Sequence, residues 1–380
     1  VYLKSYTDFL FSISGREMRL SQVVRSGPGQ YICEEGALRY LADKLTNFNH
    51  PYIIAGQKAL AAFKRFLPAP LDIPVLLYDG TASEQDMQRL AKLARDADVI
   101  IGIGGGRALD TAKGTADILN AESIIIPTVM GTCSAFTPLS AVYHPDHTFR
   151  QVDYYHRAAF LVLLDLTLLV DSPRDYFVGG IGDTLAKWYE AEAITRKYGP
   201  DSLSLFVEMG LSAARITRET LLNDTQAALT SMDNGEVTPE FRRVAEAVIA
   251  VAGMVGGCAG EYGRMAGAHA IHNALSFFPE THRLLHGVKV AYGILVQLAA
   301  TGDRDEAQNL LPFYQKNGFP YNLASLGIIS DHAAAMTLAE FAAREDETFI
   351  LAVDNITPKQ IAAAIHVVEE LVAQAEPMVR

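Results

Sequence analysis

Apolar positions in the first half of the chain gather into short continuous runs. QYIC lies around Tyr31, PYIIAG around Ile53, PVLLYD around Leu76, DVIIGIGGG around Ile100 and SIIIPT around Ile125. Between them the pattern changes to a helical period, in GALRYLADKL, QKALAAFKRFL and SEQDMQRLAKLARDA. Strands buried on both faces are apolar throughout, whereas half-buried strands alternate. Continuous strands separated by amphipathic helices therefore predict a parallel sheet covered on both sides. The run AAFLVLLDLTLLV reads as one or two further buried strands, because it is too short for a bilayer and contains Asp165.

After about Pro173 the period is helical and strand-like runs are scarce. DTLAKWYEAEAITRKY, FRRVAEAVIAVAGMV and TPKQIAAAIHVVEELVAQA carry it. The predicted fold is an α/β domain over residues 22–173, with a parallel sheet flanked by helices, followed by an all-α domain over 174–380. The first 21 residues are expected to be an extension. VYLKSYTDFLFSISGRE precedes Met18 and is not expected to be a signal peptide, since no small-residue cleavage site follows an apolar core.

Composition narrows the function classes. A net charge of -12 without a basic cluster excludes a nucleic-acid partner on electrostatic grounds. No segment reads as membrane-spanning. Three dispersed cysteines, Cys33, Cys133 and Cys258, form no CxxC pair and point to a reducing cytoplasm.

Chemistry enters at DVIIGIGGGRALDTAKG, Asp98 to Gly114. A buried strand runs into Gly104, Gly105 and Gly106 and then into a helix near Ala108. Glycines let backbone approach a ligand, and the helix start offers free N–H groups to a pyrophosphate. The motif is neither GxGxxG nor a P-loop, since position 107 is Arg. Asp110, one turn into the helix, is a candidate for capping amides or touching a cofactor.

A second concentration is AHAIHNALSFFPETHRLLHG, with four of the ten histidines: His269, His272, His282 and His286. A straight helix would hold His269 and His286 about 25 Å apart. A shared ligand therefore requires a turn, and Pro279 marks where a helix ends. Spacing alone does not choose His286 over His282, or His269 over His272.

GIGGGRALDTAKG resembles the GGGK-x-x-D-x-AK segment of glycerol dehydrogenases, a branch of the metal-dependent, "iron-containing" alcohol dehydrogenases. PTVMGTCSAFTPLSAVY, GGIGDTLAKWYEA, AHAIHNALSFFPETHRLLHG and VKVAYGILVQL continue the resemblance in order, from about Val23 to the C-terminal helix. The resemblance implies a dinucleotide-binding domain, a helical domain and an active site in the cleft between them. It implies metal ligands Asp183, His269 and His286. His272, one helical turn from His269, is then expected to be a supporting or proton-relay residue, and His282 to be exposed. The resemblance also implies an NAD(P) site whose nicotinamide side is lined by Thr128, Thr137, Leu139 and Tyr143. Gly131 stands where the family usually has Ser. Some members carry a fourth histidine ligand four residues after the aspartate. Lys187 stands there, which favours Zn2+ over Fe2+.

Two departures bear on substrate and cofactor. Cys133 occupies the position of the aspartate that contacts substrate hydroxyls in glycerol dehydrogenases. A neutral thiol neither anchors a polyol nor repels a carboxylate. The pattern resembles the hydroxycarboxylate dehydrogenase members, so reduction of a 2-oxo acid is expected over oxidation of glycerol. After the second strand, Gly56 replaces the acidic residue that binds ribose hydroxyls in NAD-preferring enzymes. Lys58 follows, so NADP(H) is expected to be accepted. The expected protein is a homo-oligomeric, metal-dependent oxidoreductase of small alcohols, polyols or 2-hydroxy acids. Glycerol dehydrogenase is the first alternative. A dehydroquinate synthase-like lyase needs more basic residues than Arg264 and Lys187, and a non-catalytic homologue would not need the full Asp/His/His set.

Overall fold

Ile53 and Ile54 show why these strands are apolar throughout. Ile53 packs in the cluster of Phe63, Ile101 and Ile103, while its neighbour Ile54 packs with Leu90, Ile100 and Ala112 on the other face. The computed structural model describes residues 23–199 and 202–375, so the predicted extension over 1–21 lies outside the described residues. Within them, all five predicted strands form: β1 (Gln30–Glu34), β2 (Pro51–Ala55), β3 (Val75–Leu77), β4 (Val99–Gly104) and β5 (Glu122–Pro127). With β8 (Leu161–Asp165) they make a six-stranded sheet in the order β1-β8-β5-β4-β2-β3, and every pairing is parallel.

The order reverses next to β2. The chain steps outward from β2 to β3, then returns to lay β4 against the other side of β2, with Ala55 opposite Ile103. Open parallel sheets bind ligands outside the carboxyl ends of strands at such a reversal. The glycine turn after β4 and Gly56 after β2 lie at those ends.

Two details depart from the sequence pattern. The second part of AAFLVLLDLTLLV is a short helix, Leu166–Val170, and not a strand. Asp165 stops β8 by accepting the amides of Thr167 at 3.0 Å and Leu168 at 3.3 Å, a helix cap that the uniform apolar run conceals. Separately, β6 (Leu139–Tyr143) and β7 (Phe149–Tyr154) form an antiparallel pair of their own. They are half-buried and joined by a short polar turn, so they lack the apolar run that marks the main sheet.

Beyond Val170 every regular element among the described residues is helical. One helical stretch, Pro239–Gly263, is long and apolar enough to cross a membrane, but 78% of its apolar window is buried inside the protein. It contains a π-helical segment, Ala247–Val251. Three helices carry the histidine and aspartate motifs: Arg174–Thr195, Gly267–Leu275 and His286–Ala300.

Candidate metal centre and cofactor turn

Asp183 and His286 come together because two helices touch backbone to backbone. A side chain at Gly287 would strike the carbonyl of Gly179, and one at Gly182 would strike the carbonyl of Gly287. Only glycine permits that approach. The third element arrives by a turn: the helix bearing His269 ends at Leu275, and Pro279 opens a short 3-10 turn before His286 begins the next helix. His282, on that turn, is exposed and contacts the Ser276 carbonyl at 3.1 Å, away from the cluster.

The donors converge on one carboxylate oxygen. Asp183 Oδ1 lies 3.2 Å from His286 Nε2 and 3.4 Å from His269 Nε2, and the donor atoms of all three residues lie within 4.8 Å of one another. A four-coordinate zinc with ligands at 2.0–2.2 Å keeps its donors about 3.4 Å apart, so this set fits a divalent ion. Asp183 and His269 are buried, while the His286 side chain is 41% exposed and marks the open side. Burial opposes a charge on Asp183, yet bonds to His269 and His286 and the charge of Lys187 hold its carboxyl well below the usual range.

Each histidine has its own support. Glu190, fully buried, lies 2.8 Å from His269 Nδ1 and accepts the amides of Ala266 at 2.6 Å and His269 at 3.0 Å. Burial disfavours charge on Glu190, but the facing His269, Lys187 and these amides keep its carboxyl below the ordinary value. Burial would likewise discharge His269. The Glu190 charge and the bonds to Asp183 and Glu190 instead push it up to about 9, so a cation and a proton compete for the same nitrogen. A carboxylate behind the second ring nitrogen is the usual brace of a metal-bound histidine. The sequence held a signal for Glu190, since it lies seven residues after Asp183 and therefore on the same helix face.

His272 braces His286 and not the nearer-in-sequence His269: its Nε2 lies 3.0 Å from His286 Nδ1. Burial and the neighbouring His286 and Lys289 keep it neutral, far below the usual histidine range. Lys187, one turn after Asp183, donates to the Arg264 carbonyl at 3.1 Å. Burial would lower its pKa, but the Asp183 charge raises it, so it stays charged and is no ligand. Cys133 opens a 3-10 turn and is half-buried. Desolvation raises its pKa and outweighs the field of Lys187, leaving a neutral thiol.

At the sheet reversal, Gly104 has φ +153, a conformation that favours glycine. Gly105 caps the helix Gly106–Leu119 with no side-chain bond, which leaves its first amides free for an anion. Thr128 donates its amide to the Gly104 carbonyl at 3.0 Å, and Ala59, in the first turn of the helix Gln57–Phe66 after β2, is another neighbour of Gly104. Gly56, with extended backbone, caps the next helix, and Lys58 is exposed in its first turn. Arg107 lies over the ring of Tyr143, 4.7 Å from its centroid. Gly131 lies beside Tyr176.

Asp110 points inward, away from this turn. It pairs with Lys113 at 2.9 Å and accepts the Ala141 amide at 3.1 Å. Lys113 in turn donates to the carbonyls of Ser134 at 2.7 Å, Thr137 at 3.1 Å and Leu139. The cofactor-turn helix thereby pins the loop that carries Cys133 and Thr137. Lys113 lies in the glycine-turn motif, but the motif alone does not indicate that task.

Comparison with known proteins agrees with this geometry. Residues 28–166 match the family described as "Iron-containing alcohol dehydrogenase". The chain is 37% identical over 354 residues to hydroxycarboxylate dehydrogenase A of Escherichia coli, covering 91% of this chain and 97% of that one. It is 32% identical over 353 residues to a glycerol dehydrogenase of Thermotoga maritima, covering 89% and 94%. The crystal structure of glycerol dehydrogenase from Schizosaccharomyces pombe superposes with a TM-score of 0.84 at 28% identity, covering 96% of this chain and 94% of that one.

Proposed function

The chain belongs to the iron-containing alcohol dehydrogenase family, and from that premise we propose that it is a zinc-dependent reductase of 2-oxo acids. It is a metal-binding, NAD(P)-linked oxidoreductase of small alcohols, polyols or 2-hydroxy acids. The observation that carries the reading is the convergence of Asp183, His269 and His286 on one point, with Glu190 behind His269.

When bound, the ion supplies a Lewis acid for the substrate oxygen, and the nicotinamide supplies the hydride. The residues do the rest. Asp183 and Glu190 provide the negative charge that holds a cation in a buried place. Glu190 and His272 orient the two imidazoles. The glycine turn offers amides to the pyrophosphate, and Lys113 holds the Thr137 loop against it. Lys187 is a buried cation one helical turn from a ligand, and Cys133 is a neutral thiol within its field. That pair suits an anionic substrate and offers a polyol no carboxylate. With Gly56 and Lys58 beside the turn, a 2′-phosphate meets no repelling carboxylate, so NADPH serves as well as NADH.

Free, dispersed cysteines fit a cytoplasmic protein. Self-association belongs to the same reading, because Leu205, Met209 and Ile216 leave an exposed apolar stripe on one helix.

The test is kcat/KM for glycerol, 1,2-diols and a series of 2-oxo acids with both cofactors at fixed zinc. The 2-oxo acids are expected to lead, and Cys133→Asp is expected to raise activity on glycerol while lowering it on oxo acids. Glycerol leading in the unaltered protein, with no response to Cys133→Asp, overturns the substrate assignment.

A further inference from the structure

The two histidine ligands are braced by different means. His269 meets a carboxylate directly. His286 meets one at the end of a chain of three hydrogen bonds. Its Nδ1 lies 3.0 Å from His272 Nε2, His272 Nδ1 lies 2.9 Å from Asn273 Oδ1, and Asn273 Nδ2 donates to Glu347 Oε2 at 3.0 Å.

The direction of this chain is set from its far end. An ionised carboxylate only accepts, so Asn273 must turn its NH2 toward Glu347 and its oxygen toward His272. An oxygen facing His272 Nδ1 requires the hydrogen on that nitrogen. A neutral imidazole carries one such hydrogen, so His272 Nε2 is a lone pair and accepts Nδ1–H from His286. A neutral His286 of this tautomer turns a lone pair on Nε2 toward a cation at the metal position, and this is the nitrogen 3.2 Å from Asp183 Oδ1. If Asn273 flips, each step reverses and His286 Nε2 carries the hydrogen instead.

We propose that Glu347, acting through Asn273 and His272, is a positioning residue that sets the tautomer of the metal ligand His286, an assignment that rests on the metal reading above. Glu347 lies between the helices His332–Ala342 and Phe349–Ala352. The adjacent Thr348 hydroxyl donates to the Ala266 carbonyl at 2.7 Å, which fixes this loop to the entrance of the His269 helix. The device suits an exposed ligand. A ring that is 41% open to water on its own would exchange tautomers freely.

The experiment uses full-length protein stripped of metal, with 15N-labelled histidine rings, at pH 8. Ring-nitrogen shifts report the tautomers of His272 and His286, and competition with a chromogenic chelator reports zinc affinity. The unaltered protein is expected to show one tautomer of His272, with hydrogen on Nδ1, and to keep hydrogen on Nδ1 of His286. Glu347→Ala is expected to mix the tautomers and weaken zinc about 10- to 100-fold, the usual effect of losing a brace behind a ligand. Glu347→Gln keeps an acceptor oxygen and is expected to retain the tautomers and most of the affinity. Asn273→Ala cuts the chain without touching Glu347, and is read in the same way should Glu347→Ala not fold. Unchanged tautomers and affinity in the alanine variants overturn the proposal, as does Glu347→Gln behaving like Glu347→Ala. Failure of the unaltered protein to bind zinc overturns the metal reading instead, and the tautomers of the metal-free protein still decide the relay.

Discussion

The His269 and His286 arms of the metal centre reach the same carboxylate oxygen by opposite strategies. His269 is 7% exposed and backed by a carboxylate that is itself buried and bonded to two amides. His286 is 41% exposed and backed by a neutral imidazole, an amide and a half-buried carboxylate in turn. A direct ion pair concentrates charge and stability at the buried side. A chain of neutral groups passes on orientation without adding charge at the side where substrate must enter. The difference separates holding the ion from leaving room to use it.

The largest way to break the comparison is at the buried arm. Glu190→Ala leaves His269 without its partner in a dry site. Removing one member of a buried pair costs about 3–5 kcal/mol. Urea unfolding of the metal-free protein is expected to show that loss, while Glu347→Ala loses less. Equal losses in the two variants would mean that the arms do not differ in kind.

A smaller effect sharpens the open arm. Burial pushes the Glu347 carboxyl up to about 7, against about 4.3 in an unfolded chain. Between these values the folded protein keeps a proton that the unfolded chain has released. Stability therefore falls as pH rises from about 4.3 to 7 and is level above, by on the order of 3 kcal/mol from this group. Urea midpoints across that range are expected to slope less in Glu347→Gln. Parallel curves for the two proteins would remove Glu347 as a buried carboxyl.

How much of this was legible in the sequence depends on how locally each feature is encoded. The inner strands were readable because burial on both faces makes them apolar throughout, whereas β3 is apolar at an exposed edge. The helix at Leu166 was not, because an apolar run carries no period and Asp165 had to be recognised as a cap. The ligand set came from the ordered motifs of a resembling family, since spacing alone left four histidines in play. Glu190 was within reach, one heptad along the Asp183 helix. Glu347 was not, because nothing near it in sequence indicates that a loop between distant helices will meet Asn273. A supporting role for His272 was legible from the helical period, but which ligand it meets was not, because the turn after Leu275 brings His286 to it.

The smallest expected effect lies at the sheet reversal. Gly56→Asp adds a carboxylate at the helix cap, where Asp is favoured over Gly by only a few tenths of a kcal/mol. Its Cβ would meet the Tyr78 ring at 3.0 Å, so that ring must yield slightly. Stability is expected to hold while cofactor preference moves toward NADH, read as the ratio of kcat/KM values. An unchanged ratio separates Gly56 from cofactor choice.

The central claim is that Asp183, His269 and His286 together hold the ion on which turnover depends. Chelator-treated protein, titrated with zinc while 2-oxo acid reduction is followed, tests it most directly. The account predicts no turnover before zinc is added, recovery that saturates at one zinc per chain, and neither binding nor recovery in Asp183→Asn. Full turnover in protein shown to be free of metal would contradict it.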